Sequence, residues 1–224
     1  MSIFGVGPAL QLLKKAAGAG GQDCVLCGEA SEDLVCLACE GRLPRCMPDW
    51  QIDLRGPLAF DDAVACYDYR FPVDRLIHRF KFHGDLAVGR WLALRLAAAL
   101  DGSTGPDLLV VPPLTAASLR ARGFNQALEV AKVVGRACGA RVEVAGLAKV
   151  RETPPQPALG GRARRDNLRG ALRCDLALGG EHVAIVDDVI TTGATADAVA
   201  RALRAAGAGR VSAWAIARTP GPRR

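Results

Sequence analysis

Two stretches of the chain carry residues at spacings that do chemistry. The first is a pair of cysteine knuckles, Cys24-x2-Cys27 and Cys36-x2-Cys39, separated by eight residues. A Cys-x-x-Cys turn aims two thiolates at one point, and two such turns supply the tetrahedral four-sulfur set that Zn²⁺ prefers. With all four ligands drawn from the protein the site is closed, which makes it structural rather than catalytic. The other readings are a redox dithiol pair or four incidental thiols, but a lone redox motif has no need of a second pair. Cys46 is near enough in sequence to be a substitute ligand or the remnant of a second site. Cys66, Cys138 and Cys174 lie in or beside apolar runs and are expected to be small buried hydrophobes.

The second stretch is Val183-Ala184-Ile185-Val186-Asp187-Asp188-Val189-Ile190-Thr191-Thr192-Gly193-Ala194-Thr195. It predicts an apolar strand ending at two carboxylates, a short turn, and a helix start. Such a turn at the carboxyl edge of a parallel sheet is where ligands bind. Its backbone N–H groups, the hydroxyls of Thr191, Thr192 and Thr195, and the close approach that Gly193 permits suit a phosphate monoester. Asp187 and Asp188 accept hydrogen bonds only, and sugar hydroxyls are natural donors to them. Phosphate at one end and a diol at the other describe a ribose 5-phosphate. An Asp-Asp pair also suits Mg²⁺ in a phospho-receiver domain, and Thr-Thr-Gly is also an ordinary helix entry. The G-x-x-x-x-G-K-[ST] loop is absent, as is G-x-G-x-x-G after a strand.

The elements that must position these groups follow from hydrophobic periodicity. Strands are expected at Ala63–Tyr69, Leu108–Pro112, Val142–Val144, Val183–Val186 and Val211–Ala217. Helices are expected at Asp85–Leu100, Ala116–Cys138 and Ala194–Ala206. Their alternation predicts an α/β domain with a mainly parallel sheet flanked by helices. Three parts are expected: an apolar segment over 1–22, a zinc-binding knuckle over 23–57, and the α/β domain over 58–224. The knuckle holds five of the eight cysteines and is too short to build an apolar core without a staple. Residues 151–173 break the alternation. They hold Thr153-Pro154-Pro155-Gln156-Pro157, then six arginines against Glu152 and Asp166, contributing +4 of a formal net charge of +6. This segment reads as a loop leading into a basic helix start, with a solvated surface excursion as the plain alternative.

The chain has 224 residues and is 50% hydrophobic, which excludes a mostly disordered or collagen-like protein. Its mildly basic charge permits an anionic ligand. No uncharged run is long enough to span a bilayer, and Lys14–Lys15 follows the N-terminal apolar run rather than preceding it. Neither membrane insertion nor secretion is expected, and the location expected is cytoplasmic.

Val186–Thr195 resembles the phosphoribosyl-diphosphate (PRPP) signature of type I phosphoribosyltransferases. Four further motifs are similar to the ComF (competence protein F) family: Phe80-Lys81-Phe82-His83-Gly84, Val111-Pro112-Pro113-Leu114, Arg122-Gly123-Phe124-Asn125-Gln126, and Arg151-x-Thr153-x-x-Gln156-x-x-Leu159 with Arg164 and Asn167 after it. They occur in family order from about Cys24 to Ala217, behind a cysteine knuckle that also looks like that family. Many members carry a second cysteine pair, of which this chain keeps only Cys46.

The resemblance implies a type I phosphoribosyltransferase-like fold that binds PRPP with Mg²⁺. It implies Asp187 and Asp188 on the ribose hydroxyls as the catalytic pair, Thr191–Thr195 around the 5-phosphate, and Pro113 and Leu114 near the diphosphate. Arg122 is expected to pair with a phosphate oxygen, unless it is a helix-capping surface residue. Lys81 is a candidate to reach the site. Arg151, Gln156 and Arg164 would act from a lid over the diphosphate. Two functions follow: a phosphoribosyltransferase of DNA uptake or nucleotide metabolism, or a non-catalytic PRPP- or nucleotide-sensing accessory protein whose knuckle docks a DNA translocase. A third, contact with single-stranded DNA, has the charge of the 151–173 segment behind it, but that segment lacks aromatics for stacking.

Overall fold

The structure is a computed structural model and describes residues 21–46, 58–100, 105–149 and 171–220. Its N-terminal part holds β1 (Gln22–Asp23), β2 (Ala30–Ser31) and the short helix α1 (Leu37–Glu40). The main part runs β3 (Asp62–Asp68), α2 (Val73–His83), α3 (Leu86–Ala99), β4 (Leu108–Val110), α4 (Ala116–Arg122), α5 (Gln126–Cys138) and β5 (Arg141–Glu143). It continues through β6 (Leu147–Lys149), β7 (Leu172–Cys174), β8 (His182–Ile190), α6 (Ala194–Ala205) and β9 (Arg210–Arg218).

Five strands form one sheet in the order β3-β9-β8-β4-β5, and every pairing is parallel. Side chains alternate between its faces, as a period of two requires. Leu109, Ala184, Val186, Trp214 and Ile216 pack with Leu92, Leu96, Val130 and Val134 on the face covered by α3 and α5. Leu108, Val110, Val183, Ile185 and Ala213 pack with Val199, Ala200 and Leu203 of α6 on the other. Burial on both faces explains why the central strands read as continuous apolar runs.

Three local readings of the sequence differ from the structure. The strand expected to stop at Val186 continues to Ile190. Asp187 pairs with Ala215, Val189 with Ala217 and Ile190 with Arg218, so the β9 ladder carries the chain through both carboxylates. The helix expected over Ala116–Cys138 is two helices. Gly123, at φ +78°, ends α4 in the left-handed conformation that glycine tolerates, and the Asn125 side chain accepts from Ala127 N to start α5. Helix α2 was not anticipated, although Val73, Leu76, Ile77 and Phe80 are its buried residues at i, i+3, i+4 and i+7. Residues 151–170, with the basic helix start expected there, lie outside the described residues; after them β7 pairs antiparallel with β6, Lys149 opposite Leu172. That ladder holds the two ends of the segment together.

Candidate functional site

Strand order locates the site. From β4 the chain crosses through α5 on one face to reach β5, and from β8 it crosses through α6 on the other face to reach β9. The direction of winding therefore reverses between the neighbours β4 and β8, and ligands of open α/β sheets bind outside the carboxyl ends of strands at such a point. Asp187, Asp188 and the turn to Thr195 lie at the end of β8, and Pro113 and Leu114 follow β4. The crevice thus gathers both groups from segments far apart in sequence.

Asp188 is 5% exposed, and its Oδ2 lies 2.8 Å from Lys81 Nζ of α2. Its other oxygen accepts from Val189 N at 2.9 Å, while Asp187 Oδ1 accepts from Asp188 N at 2.8 Å. As neighbours in a strand, the two carboxylates leave the backbone on opposite faces. Burial, and next the charge of Asp188, push the Asp187 carboxyl up to about 8.

Lys81 joins two of the sequence motifs to the acidic pair. The buried Gln126 donates from Nε2 to Lys81 O at 3.4 Å and accepts from Arg122 Nη1 at 3.1 Å. The Arg122 guanidinium lies 5.3 Å from the Phe82 ring centroid, and the Phe80 and Phe124 rings are 5.6 Å apart. The 80–84 and 122–126 motifs therefore form one unit, joined to the acidic pair through Lys81. Phe80 is in the core, while Phe82 is 58% exposed with His78 against it at 4.7 Å. His83 is exposed, as a partly solvated imidazole should be.

The turn after β8 has the form of an anion cradle. Gly193, at φ +73°, is the N-cap of α6, and no side chain caps that helix. The helix is 12 residues long, so its N-terminal amides carry the positive end of a developed dipole. Thr191 and Thr195 are exposed, Thr192 is half-buried with its Oγ1 3.4 Å from Ala194 N, and Gly193 and Ala194 are buried. Asp197, the acidic residue of the first turn, faces away and accepts from Ala59 N and from Arg201.

The end of β8 thus carries Asp187, Asp188 and the 191–195 turn, Lys81 bonds Asp188, and Pro113 and Leu114 follow the neighbouring strand β4. Arg122 is held by Gln126 and Phe82. Arg151, Gln156 and Arg164 lie outside the described residues. Sequence reasoning passed over Gln126 as a site residue, although a glutamine at a helix start next to a buried apolar stripe was the available signal.

The four knuckle cysteines come together as the spacing requires. Their sulfurs all lie within 4.8 Å of one another, with Cys27 and Cys36 Sγ 3.8 Å apart. A tetrahedral ZnS₄ site with bonds of about 2.3 Å has edges of about 3.8 Å, so the set fits the ion. Burial opposes ionisation of Cys24, but amide N–H groups of Cys36, Cys27 and Leu26 outweigh it and bring the thiol down to about 6. The sulfurs of Cys36 and Cys27 push Cys39 up to about 12. A divalent cation would relieve this mutual repulsion. Cys46 stands apart from the cluster, with Arg218 Nε donating to its sulfur at 3.0 Å. Cys66, Cys138 and Cys174 are half-buried and pack on the two core clusters.

The knuckle is bolted to α3. Arg95, 13% exposed at its side chain, reaches Glu40 through Nε at 2.7 Å and Nη2 at 2.8 Å, and Asp33 through Nη2 at 2.9 Å. Its guanidinium also lies 4.4 Å from the Trp91 ring centroid. Cys24, Val35 and Leu43 belong to the same apolar cluster as Trp91 and Leu92.

These features define a parallel α/β protein with an acidic pair and a threonine turn at the end of a central strand and an N-terminal four-cysteine cluster. "DNA utilization protein YhgH" of Salmonella typhimurium is 32% identical over 204 residues, covering 88% of this chain and 90% of that protein. Its Escherichia coli K12 counterpart is 34% identical over 172 residues, covering 74% and 76%. "Competence protein F" of Haemophilus influenzae is 30% identical over 173 residues, covering 71% and 74%. The chain belongs to this competence protein F (ComF) family. No family profile matches it. Among solved structures, a purine phosphoribosyltransferase from Pyrococcus horikoshii covers 60% of this chain and 92% of its own at 18% identity and a TM-score of 0.35, too loose a likeness to place any residue. Among the described residues no helix is long and apolar enough to cross a membrane.

Proposed function

We propose that the β4/β8 crevice binds PRPP with Mg²⁺ and that the protein is a phosphoribosyltransferase acting in DNA uptake or nucleotide metabolism. The observation that carries this reading is the meeting, at one topological switch point, of a glycine-headed helix N-terminus with no side-chain cap and the Asp187–Asp188 pair. In this reading the 191–195 turn takes the 5-phosphate, and Asp187 and Asp188 accept from the ribose hydroxyls. Lys81 exchanges Asp188 for the anionic diphosphate, beside Pro113 and Leu114. Carboxylate oxygens are the hard donors that Mg²⁺ takes alongside substrate phosphates. The cation, when bound, neutralises charge on the departing pyrophosphate. The chain's own contribution is to fix the sugar while a nucleophile replaces pyrophosphate at the anomeric carbon, through a transition state of oxocarbenium character. The four cysteines hold a structural Zn²⁺.

Calorimetric titration of PRPP with Mg²⁺ into the zinc-loaded protein tests this reading, beside an Asp187→Asn/Asp188→Asn variant. Binding by the wild type and its loss in the variant are expected. No binding to the folded wild type overturns the reading and leaves the crevice as scaffold. Binding without turnover, across a panel of acceptor bases, would make the protein a PRPP sensor among the partners of DNA uptake, with a DNA translocase as candidate partner for the knuckle.

A second reading, contact with single-stranded DNA, is favoured by exposed Phe82 with Arg122 over its ring, a stacking group that the basic segment lacks. Binding through phosphates would weaken steeply as salt rises, and a flat salt response counts against it.

A further inference from the structure

The chain leaving the knuckle runs antiparallel to the outer edge of β3. Arg45 bridges Tyr67, Cys46 N donates to Cys66 O at 2.9 Å, and Asp68 N donates to Pro44 O at 2.8 Å. This register sets Cys46 directly opposite Cys66. Directly opposed residues of an antiparallel pair share a face, with Cα atoms about 4.5–5.5 Å apart. A disulfide needs about 4.4–6.8 Å. Both side chains are half-buried and line one cavity of about 450 Å³ between the knuckle and the sheet edge, so a small solute has a route to them. Neither belongs to the four-cysteine cluster.

We propose that Cys46 and Cys66 are a redox-sensitive thiol pair, which a two-electron oxidant of the peroxide class converts to a cross-strand disulfide locking the knuckle's exit to β3. Cys46 sulfur attacks one peroxide oxygen, the O–O bond breaks, and a sulfenic acid and one water form. Cys66 sulfur then displaces the sulfenic oxygen as a second water, and the S–S bond closes. Two thiols lose two electrons and two protons, and one peroxide becomes two waters. Burial holds the Cys46 thiol above its usual range, and Arg218 Nε, 3.0 Å from Cys46 Sγ, is the group that works against that rise. Burial pushes the Cys66 thiol up to about 12, which suits the resolving partner better than the attacker.

The zinc-loaded full chain, treated with graded hydrogen peroxide, alkylated and digested with trypsin without reduction, gives the test. Cleavage after Arg45, Arg55 and Arg70 places the two thiols in separate peptides, Cys46–Arg55 and Gly56–Arg70. The expected product is those two peptides joined, at peroxide levels that leave the zinc bound, and its loss in Cys46→Ser and in Cys66→Ala. Recovery of both peptides separately alkylated, or of Cys46 joined to a knuckle cysteine instead, overturns the proposal. Both of those results are read on the wild type, so they stand whether or not a variant folds.

Discussion

Lys81 Nζ and Asp188 Oδ2 lie 2.8 Å apart, and this contact ties helix α2 to the carboxyl end of strand β8. The carboxylate is nearly buried and the ammonium is 24% exposed, so removing the lysine leaves an acid in a place that water serves poorly. Lys81→Met is expected to lower stability by about 1–3 kcal/mol, read as a lower urea midpoint. Asp188→Asn in the same background should restore much of that loss. If the double variant is no more stable than Lys81→Met, the pair is not the source of the effect.

Stability should also depend on pH through Asp187. Its carboxyl is raised in the folded state, to about 8, so the native protein holds a proton that the unfolded chain releases near pH 4. The stability linked to that proton is fully present below about pH 4 and is lost as the pH climbs to about 8. Asp187→Asn removes this slope. Denaturation curves from pH 5 to 8.5 should therefore fall with pH less steeply for the variant than for the wild type, and parallel curves would refute the assignment.

Metal removal should be felt beyond the knuckle. Cys24, Val35 and Leu43 share an apolar cluster with Trp91 and Leu92, and Arg95 of α3 grips Glu40 and Asp33. A chelator is expected to lower the melting temperature of the whole protein rather than produce a separate early transition. Arg95→Met should cost about 2–4 kcal/mol through the abandoned carboxylates, and should speed zinc loss to a chromogenic chelator.

Gly193 gives a sharper probe of the cradle. At φ +73° a side chain is strained, so Gly193→Val should cost about 1–3 kcal/mol and weaken PRPP binding together. A variant that loses stability but binds PRPP as the wild type does would separate the turn from the ligand.

The acidic pair and the threonine turn were legible because strand, turn and helix follow one another within a single stretch of chain, and the chemistry rides on adjacent residues. The four-cysteine cluster was legible for the same reason. What joins them to the rest was not. The contact of Gln126 with Lys81 and Arg122 spans two motifs that only tertiary packing brings together. The run of β8 through Asp187 and Asp188 contradicts the local preference of carboxylates, and only the ladder to β9 decides it. The split of α4 from α5 turned on Gly123, which a periodicity over the whole stretch averages away.

The position of β9 bears on how the protein comes into being. It lies between β3 and β8, and Asp62 of the first sheet strand pairs with Ser212 of the last. Until this last strand is inserted, the first has no neighbour in the sheet and the acidic strand has one open flank. Closing so distant a pair is slow, because loop entropy is lost before the contacts repay it. A nascent chain therefore exposes two unpaired strand edges until β9 has emerged from the ribosome.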